Sequence, residues 1–186
     1  MRLFVAVNFP ADVRQALWQS AEPLRRRDFP VKWVGADQVH VTLKFLGEVP
    51  EERLGELSEG LSGAARAARP FVLPLGGFGA FPSAERARVV WCGCGAVPPL
   101  ELLHHDVEQA TAALGFPVEG RPFRPHVTLG RVRDDARRKD LAGMANVLDA
   151  LSFTSEVTVQ TVDLMQSTLG RNGATYTARH SAPLAG

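Results

Sequence analysis

His40-Val41-Thr42-Leu43 and His126-Val127-Thr128-Leu129 are the same four residues written twice, 86 positions apart. Read as β-strands, each puts its histidine and threonine on one face and its valine and leucine on the other, because side chains alternate along a strand. Each segment therefore has a polar face for a ligand and an apolar face for a core. Outward from the pair, Arg2 and Arg88 each precede a strand-like run and each stands 38 residues before its histidine. The helical pattern Leu54, Leu57, Leu61, Ala64 returns 87 positions later as Leu141, Met144, Leu148, Leu151. Matching strand and helix patterns at nearly one offset predict two related α+β lobes and not a solenoid of many short repeats.

The expected architecture is one bilobal domain over 1–186, with repeat units near 2–86 and 88–180. The two pseudo-symmetric lobes would each carry an antiparallel sheet and packed helices. Helical spacing covers 12–24, the stretch after Pro50, 100–114 and 141–151, and strand propensity covers 2–7, 39–46, 71–75, 88–94, 124–132, 157–164 and 174–179. Gly76, Gly77, Gly79 and Pro82 read as a loop, and Gly170-Arg171-Asn172-Gly173 as a turn. The strand pattern of 2–7 recurs before the second unit and again at 174–179, which leaves room for strands exchanged between lobes.

A hydrophobic fraction of 45% with 22% charged residues is that of an ordinary globular chain, so disorder is not expected. The apolar run at 3–7 is stopped by Asn8 and Pro10 and lacks a small-residue cleavage site. No stretch approaches the roughly 18 apolar residues of a membrane span. A cytoplasmic protein without a membrane role is expected. Cys92 and Cys94, two apart on one strand face, suit buried thiols better than a disulfide framework or a metal site. The net charge of +1 is uninformative, but Arg121, Arg124, Arg131, Arg133, Arg137, Arg138 and Lys139 form a local basic run. A second group is Arg25, Arg26, Arg27 and Lys32. Both fit a solvated face as well as attraction of a phosphate-bearing ligand.

If the two polar strand faces meet across a groove, they supply two imidazoles and two hydroxyls to one ligand. Histidine transfers protons near neutral pH, so one ring can take a proton from water as the other gives one to a leaving oxygen. Threonine hydroxyls and backbone amides suit the phosphoryl oxygens as charge develops. A purely structural role, with the histidines at a strand interface and the threonines serving β propensity, stays open at this level.

The chain resembles the two-histidine phosphoesterase family, in particular its RNA 2′,3′-cyclic phosphodiesterase branch, also named 2′-5′ RNA ligases. The resemblance runs through Arg2-Leu3-Phe4-Val5-Ala6-Val7, Trp33-Val34, His40 to Gly47 and Phe123-Arg124-Pro125-His126-Val127-Thr128-Leu129-Gly130-Arg131. It implies a central groove between two lobes and no metal or other cofactor. It implies opening of a terminal 2′,3′-cyclic phosphate to a 2′-phosphate, with His40 as proton donor to O3′ and His126 as proton acceptor from water. Thr42 and Thr128 are implied phosphate ligands. The implied partner is RNA with a cyclic end, or a short nucleotide, with no obligate protein partner.

Other residues are less determined by sequence. Lys44 falls on the nominal His40 face and could attract phosphate, or be a solvent-exposed edge lysine. Strict alternation puts Arg131 on the face opposite His126, although Gly130 could permit a bulge that redirects it. Phe9, Trp33, Phe45 and Phe78 could stack on bases, but aromatics in a small domain mostly serve the core, and Phe45 falls on the predicted core face. His104 and His105, adjacent on one helix, and His180, after the last strand, read as ordinary histidines. The chain lacks a glycine-rich nucleotide loop ending in Lys-Ser or Lys-Thr, which argues against an ATP-dependent ligase of that type. Alternatives to the hydrolase are a non-hydrolytic RNA-end binding module and a phosphoesterase for another small cyclic nucleotide. A reverse 2′-5′ ligation follows from microscopic reversibility.

Overall fold

The computed structural model describes residues 1–185. In chain order its main elements are β1 (Arg2–Asn8), α1 (Ala11–Ser20), α2 (Glu22–Arg26), β2 (Val31–Trp33), β3 (His40–Glu48), α3 (Leu54–Ala67), β4 (Phe71–Phe81) and β5 (Val89–Cys94). There follow α4 (Pro98–Ala113), β6 (His126–Val132), α5 (Met144–Ala150), β7 (Thr154–Val159), β8 (Thr161–Gly170) and β9 (Gly173–Pro183). The class is α+β with antiparallel pairing throughout.

The nine strands join in one sheet of order β7-β4-β5-β6-β3-β1-β8-β9, with β2 also paired to β6. Its seam is β3 against β6, where the paired residues are Val41 and Val127. Beyond that contact the strands diverge, and β2 covers β6 from Gly130 to Val132. The strand pattern at 157–164 is two strands, not one. β7 and β8 are separated by Gln160 alone, yet they lie six places apart in the sheet order. In a flat sheet six spacings would be roughly 29 Å, whereas two peptide steps reach only about 7 Å. The sheet must therefore curl, and the two tetrapeptides sit where it folds.

One face of the curled sheet carries the helices and the main core, which includes Leu3, Val5, Val7, Val41, Leu43, Val127 and Leu129 from the strands. Helix α3 contributes Leu57, Leu61, Ala64 and Ala65, and α4 contributes Leu100, Leu103 and Val107. Burying each leucine stabilises the fold by about 2 kcal/mol. The single helix expected over 12–24 divides at Ala21, because Pro23 at the start of α2 offers no backbone N–H to continue α1. The helix expected over 141–151 begins only at Met144, after Gly143 turns the chain at φ 86°.

Two further boundaries differ from expectation. Residues 76–81 are not a loop: β4 runs to Phe81, with a register shift between Leu75 and Phe78 that Gly77 accommodates at φ 75°. Gly79 is required within it because a Cβ there would lie 2.3 Å from the Trp91 ring. His180 does not follow the last strand; it lies inside β9, where its Nε2 meets the Ser62 hydroxyl at 2.8 Å.

Candidate active site

Antiparallel pairing about Val41 and Val127 places His40 across from Thr128, and Thr42 across from His126, on the face away from the helices. Two imidazoles and two hydroxyls thus surround one local two-fold axis. All four residues are half-buried, while Val41 and Val127 between them are fully buried.

Past the threonines both strands break alternation in the same way. Thr42 pairs Ala6 but Lys44 pairs Val5, and Thr128 pairs Trp91 but Gly130 pairs Val90, so Leu43 and Leu129 are bulge residues. The bulge shifts every later side chain to the other face. Phe45 and Arg131, each five positions after its histidine, consequently project into the groove. For Arg131 the bulge at Gly130 does redirect the guanidinium toward the histidines. Gly130 is the residue that fits there, since a Cβ would stand 2.6 Å from Val31 and 2.7 Å from Trp33.

Phe45 and Lys44 correct expectations from strict alternation. Phe45 is 65% exposed, not a core residue. Lys44 is 7% exposed and lies in the wall of the cavity that also takes in Thr42 and His126, where its ammonium donates to Glu108 at 2.9 Å and to the carbonyl of Pro117. It is not an exposed edge lysine, and its ammonium is engaged by a carboxylate. Phe9, Trp33 and Phe78 pack in or against the core.

The histidines are held alike at one nitrogen. Nδ1–H of His40 donates to the Gln38 carbonyl at 2.7 Å, and Nδ1–H of His126 donates to the Arg124 carbonyl at 2.7 Å. A carbonyl can only accept, so each neutral ring is kept with its lone pair on Nε2. The surroundings of Nε2 differ. In the neutral ring His40 Nε2 accepts from the Thr42 hydroxyl at 2.9 Å, whereas His126 Nε2 makes no hydrogen bond among the described residues. Phe4 and Tyr176 flank His40, with ring centres at 5.0 and 5.4 Å, and Phe81 meets His126 edge-on at 5.1 Å. Burial holds the His40 pKa below the ordinary histidine value, and the positive charges of His126 and Arg131 add to that; the bond to the Gln38 carbonyl opposes it.

Two adjoining cavities share Thr42, Phe45, Thr128 and Arg131. The one beside His40, about 480 Å³, is largely aromatic and apolar, with Phe4, Val34, Leu169 and Tyr176 among its walls. The one beside His126, about 220 Å³, is basic, with Arg121 and Arg124 on its rim. Phe4, Leu169 and Tyr176 were not apparent as groove residues in the sequence; alternation from Asn8, which pairs His40, would have marked Phe4. The sequence gives no comparable sign for β8 and β9, because their pairing with β1 is long-range. Among the described residues no helix is long and apolar enough to cross a membrane.

The chain matches the model of the 2′-5′ RNA ligase superfamily over residues 13–171. It is similar to the RNA 2′,3′-cyclic phosphodiesterase of Thermotoga maritima, 30% identical over 177 residues that cover 95% of this chain and 91% of that protein. Among solved structures, a Thermus thermophilus protein superposes with a TM-score of 0.81 at 31% identity, covering 100% of this chain and 99% of that one. Escherichia coli LigT, solved with 3′-AMP, superposes with a TM-score of 0.77 at 29% identity, covering 100% of this chain and 98% of its own.

Proposed function

The chain belongs to the 2′-5′ RNA ligase superfamily, and from this and its groove we propose that it hydrolyses RNA or nucleotide 2′,3′-cyclic phosphate ends to 2′-phosphate ends. The observation that carries this reading is the pair of imidazoles about one axis, each fixed at Nδ1 by a backbone carbonyl so that Nε2, beside the Thr42 hydroxyl in His40 and uncommitted in His126, is the nitrogen for proton transfer. In this reading His126 accepts the proton of a water that attacks phosphorus in line with the P–O3′ bond. His40 donates a proton to O3′ as that bond breaks, leaving the phosphate on O2′. The hydroxyls of Thr42 and Thr128 and the guanidinium of Arg131 hold the phosphoryl oxygens, whose charge grows in the transition state.

The acid needs its proton, and the free groove disfavours one on His40. A bound phosphate anion between the rings supplies the opposite charge and counters the repulsion from His126 and Arg131. The more open His126 Nε2 suits the ring that takes a proton from water. Microscopic reversibility lets the same groups join a 5′-hydroxyl to the cyclic phosphate, and the basic cavity beside His126 gives such a nucleophile room. The two free thiols, Cys92 and Cys94, fit a cytoplasmic setting. RNA ends or short nucleotides are the proposed partners, without an obligate protein partner and without a metal.

The test is incubation with a short RNA bearing a 2′,3′-cyclic phosphate in excess chelator, with phosphorus NMR of the product. A 2′-phosphate is expected, with no comparable opening of a 3′,5′-cyclic phosphate. A 3′-phosphate product, or binding without turnover, overturns the reading, and a reversible loss in chelator overturns its metal independence.

A further inference from the structure

The wall of the cavity beside His126 holds a buried polar network that the proposed reaction does not use. Glu108 of α4 is 3% exposed. Its Oε2 accepts from Lys44 Nζ at 2.9 Å and from the backbone N–H of Glu119 at 3.0 Å, while Lys44 also donates to the Pro117 carbonyl. Its Oε1 has no hydrogen-bond partner among the described residues and lies 3.7 Å from Nε2 of His104. The His104 ring in turn stacks flat on Phe123, with centroids 3.9 Å apart and planes 2° apart. Burial holds the His104 pKa below the ordinary histidine value, against the pull of Glu108, and the charges of Lys44 and His105 add to the lowering.

A buried ion pair is seldom the most stable solution for a core, because desolvating both charges offsets their attraction. This pair has a distinctive position. Lys44 belongs to the strand of His40 and Thr42, two residues beyond Thr42, and Glu108 to α4, and both line the cavity beside His126. Between them they hold Pro117 and Glu119, and through His104 they support Phe123. Those three points lie in the segment that leads straight to Arg124, whose carbonyl accepts the Nδ1–H of His126. The equivalent carbonyl for His40, that of Gln38, belongs to a residue held differently, by its own side-chain amide donating to the Ala174 carbonyl of β9.

We propose that Glu108, charge-balanced by Lys44, is a positioning residue for His126: it fixes residues 117–124 so that the Arg124 carbonyl holds the ring with Nε2 directed to the groove. This rests on the reading of His126 as the proton acceptor. Glu108 touches no reacting atom in this role; it acts through the backbone of the segment. The ion pair also couples the strand of one histidine to the approach segment of the other, so the two imidazoles keep a common frame. Misplacement of a reacting group by about 1 Å can cost on the order of 100-fold in rate, so the loss of this support is expected to appear in kcat.

The test uses the full chain with the paired substitution Lys44→Met and Glu108→Leu, which removes both buried charges together and avoids stranding one. Thermal melting and circular dichroism confirm the fold, turnover of a 2′,3′-cyclic nucleotide gives kcat and KM, and nitrogen-15 NMR reads the His126 tautomer. The expected result is a cooperatively folded variant with kcat reduced at least about 10-fold and His126 no longer confined to the Nδ1–H form. Lys44→Arg, which keeps the charge and the donors, is expected to retain most of the turnover. A folded double variant with wild-type kcat and a single His126 tautomer overturns the proposal. Should the double variant not fold, Glu108→Gln, close in volume, is judged by the same two measurements and criteria. If the wild type itself turns over no cyclic phosphate, the functional reading fails, while the tautomer measurement still decides the positioning role.

Discussion

Replacing Arg131 with methionine probes the groove in two ways at once. The side chain is exposed, lies on the rim shared by both cavities and makes no ion pair among the described residues, so the fold loses little. As a phosphate ligand it would contribute one charge-assisted hydrogen bond, about 1.5–3 kcal/mol. Its loss is therefore expected to lower kcat/KM for a 2′,3′-cyclic nucleotide by roughly 10- to 150-fold. The second effect is on His40, whose pKa the Arg131 charge depresses after burial and His126 have done so. Removing that charge raises the His40 pKa, though burial keeps it below the ordinary value. The His40 imidazole should accordingly titrate at a higher pH in the variant than in the wild type. Steady-state kinetics across pH and NMR titration of His40 read both. A kcat/KM within about threefold of wild type, or a His40 titration that stays put or moves down, refutes the placement of Arg131 as a phosphate ligand beside His40.

His40→Ala and His126→Ala are each expected to reduce kcat by about 10²- to 10⁴-fold. The double variant should lose little more than the worse single one, because the two rings act in one step; losses that multiply in single-turnover assays would count against a shared reaction. Phe45→Ser is expected to leave stability within about 0.5 kcal/mol, as for other exposed positions. It should raise KM for cyclic nucleotides, since an exposed ring in the groove can stack on a base. Thermal melting alongside kinetics checks this, and a drop of many degrees with unchanged KM would restore Phe45 to the core.

The histidines and threonines were legible because alternation within four residues is a local property of strands. The bulges were not. Leu43 and Leu129 add one residue to each strand's count, and nothing in a leucine announces that. Strict alternation consequently mislaid Lys44 and Phe45, and Arg131 was rescued only because glycine at position 130 hinted at irregular backbone. The run 157–164 concealed a break for a different reason. Val157, Val159, Val162 and Leu164 are all buried strand residues, and what separates them is that one pair faces β4 and the other β1, a matter of pairing partners far along the chain. Gly76, Gly77 and Gly79 misled in the opposite direction: they look like a loop, but one permits a positive φ and another makes room for Trp91. Glu108 was invisible as a functional candidate, since a glutamate in a helix ordinarily faces solvent, and its burial is compensated by Lys44 of β3 and the Glu119 N–H, both outside the helix.

Identical tetrapeptides explain where the two histidines stand but not how their roles differ. A two-fold arrangement suits in-line displacement, because the entering and leaving oxygens lie on opposite sides of phosphorus and each needs its own proton carrier. It also poses a difficulty, since equivalent rings would share protons equally and half of the one-proton states would be the wrong way round. The structure breaks the equivalence through neighbours that the tetrapeptides do not contain. His40 has Phe4 and Tyr176 beside it and the Thr42 hydroxyl on Nε2, while His126 has Phe81 at its edge and an uncommitted Nε2. Burial disfavours the charged form of the enclosed His40 ring, which ties its protonation to the arrival of an anion. On the proposed assignment, a proton that binds with the phosphate is available to O3′ when needed and is disfavoured on His40 in the empty groove. On that assignment the more open ring, His126, takes the proton from water, and the direction of proton flow follows from the strands around each tetrapeptide and not from the tetrapeptide itself.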